Sequence, residues 1–94
     1  MKFDEIKFKE TDVPNGIQAM LNFGVYDLSI VQSDFSYGGK QGLYEIAVFE
    51  GNDQKELAGI TEKGDTVKGF LTEGEVEAII KKMHLVTGTD PANG

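Results

Sequence analysis

Residues 16–32, GIQAMLNFGVYDLSIVQ, carry apolar side chains at every second position on both sides of a central glycine. Ile17, Ala19 and Leu21 share one parity, and Tyr26, Leu28 and Ile30 share another. A period of two marks a half-buried strand, because successive side chains leave a strand on opposite faces. A two-residue turn at Phe23-Gly24 would pair Leu21 with Tyr26, Ala19 with Leu28 and Ile17 with Ile30. That register puts all six on one face of an antiparallel hairpin. Gly24 supplies the positive φ that such a turn requires. One face of a sheet is therefore predicted to be buried, and something must cover it.

Working outward, residues 43–50, LYEIAVFE, repeat the alternation. Tyr44, Ile46 and Val48 are predicted opposite Ile30, Leu28 and Tyr26 in a second antiparallel pairing. The other parity holds Leu43, Ala47 and Phe49, so this strand is expected to be central or covered. Toward the N-terminus, residues 2–10 read as a first strand centred on Ile6 and Phe8, closed by a turn at Pro14-Asn15-Gly16. Residues 50–56, EGNDQKE, read as an acidic hairpin loop. A weaker strand over 57–61 returns from it, and 62–69 read as irregular chain.

The cover is a helix. Thr72-Glu73-Gly74-Glu75 has the T-x-x-E form in which a hydroxyl and a carboxylate each satisfy an orphan backbone N–H. Leu71 and Val76 have the spacing of a hydrophobic staple, and Val76, Ile79, Ile80 and Met83 form one apolar stripe. Acids sit in the first turn and Lys81, Lys82 and His84 near the last, as the helix dipole favours. Gly88 is the expected stop. The predicted fold is α+β: an antiparallel β-meander of about four strands with one C-terminal amphipathic helix packed on one face. It occupies a single domain over residues 1–86, followed by a flexible polar tail over 87–94.

Composition narrows the function classes. The 94 residues carry 16 acids against nine bases, a net charge of -7, and every base is lysine. Phosphate backbones are held largely by Lys and Arg, and arginine is the usual bidentate partner, so direct nucleic-acid binding is not expected. No run is long and apolar enough to span a bilayer, and MKFDEIKFKE lacks the apolar centre of a secretory signal. The absence of cysteine agrees with a cytoplasmic setting. Residues 43–66 hold Glu45, Glu50, Asp53, Glu56, Glu62 and Asp65 against Lys55 and Lys63. Two readings stand for this stretch: a solvated loop that keeps the domain soluble, or an acidic surface aimed at a basic partner.

Catalytic and metal chemistry find little support. His84 has no second histidine or cysteine to join, and its place late in the helix suits the dipole. Ser29, Ser33 and Ser36 lie in no G-x-S-x-G elbow. Carboxylates are plentiful, but so small a domain offers little room for a glycosidase cleft. EGNDQKE lacks the ligand spacing of an EF-hand. No enzyme activity, cofactor or metal is expected.

Residues 33–42, SDFSYGGKQG, remain. Gly38-Gly39-Lys40 hints at phosphate, but no Ser or Thr follows and strands stand on both sides, unlike a P-loop. A turn accounts for the glycines. It does not account for a loop of about ten residues, nor for Phe35 and Tyr37, which neither the strand alternation nor the helix stripe needs for a core. Long loops bearing aromatics are typical contact sites. Phe35 and Tyr37 are the expected partner-binding anchors, with Lys40 as a rim charge. The alternatives are a small ligand held by this loop, or self-association.

The order of GIQAMLNFG, YDLSIV, YGGKQGLYEIAVFE and GFLTEGEVEAIIKKM over residues 15–84 resembles small accessory proteins of tailed phages and prophages. The shared motifs are structural, so the resemblance implies no particular activity and no functional residues. It adds weight to a phage accessory role. The leading expectation from the residues is a binding module that modulates a host or phage protein through an acidic or aromatic surface, as a monomer or weak homodimer in the cytoplasm.

Overall fold

Three long strands form the centre of the sheet, where the alternation is strongest: β2 (Ile17–Phe23), β3 (Tyr26–Gln32) and β4 (Tyr44–Glu50). The computed structural model describes all residues, Met1–Gly94. Four short strands complete an antiparallel sheet of seven, not the expected four or so. β1 (Lys9–Glu10) and β7 (Ala92–Asn93) share the free edge of β2, while β5 (Asp53–Lys55) and β6 (Val67–Leu71) share that of β4. Each outer edge is thus divided between short pieces, which limits open-ended pairing with other chains. The helix α1 (Glu73–Thr87) follows β6 directly.

The hairpin keeps its predicted faces and changes its register. Leu21 pairs with Leu28 and Ala19 with Ile30, each two residues beyond the expected partner, and Phe23 leaves the turn to pair with Tyr26. The turn is Gly24-Val25, with positive φ (72°) at Gly24 and not at Val25. This matches a type II′ hairpin and moves Phe23 from a wasteful turn position into full burial. A shift of two preserves parity, so the apolar face stays the apolar face. The β3–β4 pairing moves likewise: Leu28 faces Val48, Ile30 faces Ile46 and Tyr26 faces Glu50. Tyr44 then lies beyond Ile30 and pairs across to Leu71 on β6.

The core forms between that face and the helix. Ala19, Leu21, Phe23, Leu28, Ile30, Ile46 and Val48 meet Val76, Ile79, Ile80 and Met83, with Ile6, Ile60 and Leu71 closing the margins. Thr72 and Glu75 form the expected capping box, and α1 stops at Gly88.

Other local expectations give way to side-chain hydrogen bonds or to short strand pairings. The start of the predicted first strand is instead a 3₁₀ turn over Phe3–Glu5, because the Lys2 N–H donates to Glu5 and the Phe3 N–H to Glu77 on the helix. Phe3 and Phe8 then pack on Tyr44, with ring centroids 5.0 and 5.8 Å away. Residues 57–61 form a closed turn, not a strand. The Leu57 N–H donates to Thr61 Oγ1 while Ile60 and Thr61 donate back to the Leu57 carbonyl. Ile60 is thereby buried. The end of the stretch read as irregular, 67–69, belongs to β6, whereas the acidic hairpin expected at 50–56 does form, with β5 as its second strand. Residues 87–94, expected as a polar tail, fold back: Ala92–Asn93 pair with β2, and His84 Nδ1 lies 3.1 Å from the Thr89 carbonyl.

Candidate functional site

The β3–β4 connection is built rather than slack. Ser33 Oγ accepts from the N–H groups of Phe35 and Ser36 (3.1 Å each), and the Ser33 N–H donates to Ser36 Oγ (2.9 Å). The Asp34 N–H donates to the Pro14 carbonyl, tying the loop to the turn before β2. A 3₁₀ turn over Gly39–Gln41 follows, with the N–H groups of Gln41 and Leu43 both donating to the Gly38 carbonyl. Between them the Tyr37 N–H donates to Glu45 Oε1 at 2.7 Å.

This framework turns two aromatic rings outward. Phe35 is 78% exposed and Tyr37 57%. They face different hollows: Phe35 lines one with Val13, Ile17, Val31 and Glu45, and Tyr37 lines another with Phe70. Lys40 is exposed on the 3₁₀ turn and lines neither. The structure therefore keeps all three predicted residues on one surface loop without gathering them at one point.

Phe70 is the residue that sequence reasoning missed. It is 56% exposed and sits in β6, where one extra residue bulges between the pairs Leu71–Tyr44 and Lys68–Ile46. Its φ is 57°, a left-handed conformation that costs a bulky residue strain. The Phe70 N–H donates to the Tyr37 carbonyl at 3.1 Å. Glycines permit the approach: a Cβ on Gly69 would collide with Tyr37, and one on Gly38 would meet the Phe70 Cα at 3.0 Å. The only trace in the sequence is an aromatic beside a glycine just ahead of the helix cap, outside the Leu71–Val76 staple.

Many of the acids cap backbone. Glu45 serves Tyr37, Glu56 serves Gly64 and Asp65 serves Thr66, while Glu50 lies 3.9 Å from Lys55. The side chains of Asp53 and Glu62 make no hydrogen bond or ion pair. Two groups are shifted. Burial, then the charge of Glu73, pushes the Tyr44 phenol up, against a smaller opposing effect of Gln32. The Thr72 backbone N–H, then its side chain, holds the Glu75 carboxyl below its usual range. Both belong to the framework around the helix start. No helix is long and apolar enough to cross a membrane.

Compared with protein-family models, curated proteins and solved structures, the chain matches none of them.

Proposed function

We propose that this chain is a non-enzymatic binding module that docks a protein partner through the loop 33–42, with Phe35 and Tyr37 as anchors, Phe70 beside Tyr37 and Lys40 as a charge on the rim. The observation that carries it is a pinned loop holding two rings in solvent. Such a surface loses little freedom on binding, which is where preorganised contacts gain affinity. The sheet edges, cut into short strands, favour contact through this loop over strand addition. The resemblance to accessory proteins of tailed phages suggests modulation of a host or phage protein in the host cytoplasm. A small anion is a poorer occupant, because the N–H groups of Ser33, Phe35, Ser36, Tyr37, Gly39 and Gln41 are already bonded within the protein.

Affinity capture from host lysate, followed by a binding assay with the recovered partner, tests this reading. Tyr37→Ala is expected to leave stability within about 0.5 kcal/mol, as exposed positions do. It is expected to weaken the complex by more than about 1 kcal/mol, as loss of an aromatic anchor does. Lys40→Ala should act mainly on the association rate and its salt dependence. A Tyr37→Ala protein that unfolds earlier and binds unchanged would reverse the assignment.

A further inference from the structure

We propose that the Tyr37–Phe70 surface takes a basic segment of the partner, one arginine or lysine side chain lying across the rings with its charge toward Glu62 and Asp65. This rests on the contact-surface reading above and names the chemistry that fills it. Two half-exposed aromatic rings line one shallow cleft of about 330 Å³, with Glu62, Asp65, Val67 and Lys68 as neighbours. The faces of aromatic rings attract cations, and carboxylates nearby add their own attraction. The Glu62 carboxylate is unengaged, and Asp65 uses one oxygen on the Thr66 N–H. Lys68 is the one cation in the lining, against the two carboxylates.

The backbone points the same way. Phe70 holds a left-handed φ that disfavours any side chain, yet its ring adds little to the core. Such an outlier survives where its surroundings impose it, and here the bond to Tyr37 does so. The wider field agrees: the net charge is -7, and a single lysine–carboxylate pair lies within 4.0 Å. A cationic segment is drawn to this surface, and an anionic one is repelled.

The test is a titration of the isotope-labelled full chain, followed by amide chemical shifts, with blocked hexaarginine and with a neutral peptide of glutamine and leucine. Hexaarginine is expected to shift the amides of Tyr37, Glu62, Asp65, Gly69 and Phe70. Tyr37→Ala and Phe70→Gly should each weaken it about threefold to thirtyfold, the range of a cation–π contact. Glycine accepts the left-handed φ, so Phe70→Gly keeps the fold. Asp53→Asn, which removes a free carboxylate on the β4–β5 hairpin, should leave affinity within about twofold. Hexaarginine that shifts nothing would overturn the proposal. Shifts scattered over the acidic surface, with both ring variants binding as wild type, would overturn it too. The neutral peptide shifting these amides while hexaarginine does not would overturn the basic partner and leave the contact surface standing.

Discussion

Tyr37 crosses β6 where that strand has no side chain: its Cβ occupies the space that a Cβ on Gly69 would fill, while its carbonyl accepts the Phe70 N–H at 3.1 Å. The loop 33–42 is thus seated on β6 by one hydrogen bond and one missing methyl group. Gly69→Ala must push the two apart. The expected loss is about 1–3 kcal/mol, the range for an overpacked contact. Amide shifts should concentrate at Tyr37, Gly38 and Phe70 and spare the Leu21–Leu28 centre of the sheet. An unchanged denaturation midpoint would show that the loop does not rest on the strand.

The helix start makes a pH prediction. The Glu75 N–H donates to Thr72 Oγ1 (3.2 Å) and the Thr72 N–H donates to Glu75 Oε1 (3.0 Å). The second of these bonds favours the ionised carboxylate, so the folded pKa of Glu75 lies below its unfolded one. Stability from this bond is present above the unfolded pKa and is lost as pH falls through the folded one. Urea midpoints measured from about pH 6 down to about pH 3 should fall less steeply for Glu75→Gln than for wild type. At neutral pH, Thr72→Ala should cost about 1 kcal/mol through the lost cap.

Ile80 is 2% exposed on the helix stripe that meets the sheet. Ile80→Ala removes buried methyl groups from a packed interface and should cost about 2–5 kcal/mol. A midpoint that barely moves would mean that α1 is not packed there.

These elements differ in how far the sequence reveals them. The helix was legible throughout, because cap, staple and stripe are local patterns that tertiary structure merely uses. The hairpin was legible in its faces and not in its register: alternation is unchanged by a shift of two, and only the burial of Phe23 selects the Gly24-Val25 turn. β1, β5 and β7 hold two or three residues each, too few to show a period. β6 was hidden by Gly69 and by the bulge beside Phe70, which break its alternation. Phe35 and Tyr37 could be picked out as rings the core did not need. Phe70 could not, since its meeting with Tyr37 depends on the β4–β6 pairing that carries it under the loop.

That pairing leads to the last prediction, on the backbone at Phe70. With a φ of 57°, any side chain there costs roughly 1–2 kcal/mol relative to glycine. Glycine in turn loses about 0.5–1 kcal/mol through the greater freedom of its unfolded chain. Both Phe70→Gly and Phe70→Ala forfeit the partial burial of the ring, so that loss cancels when the two are compared. What remains is the conformational difference, which favours Phe70→Gly by up to about 1.5 kcal/mol. Anywhere else in a strand the order would be reversed, because glycine weakens strands. Paired urea titrations of the two variants decide the matter. If Phe70→Ala proved the more stable, the left-handed bulge would not be the conformation held in solution, and the seat of Tyr37 on β6 would go with it.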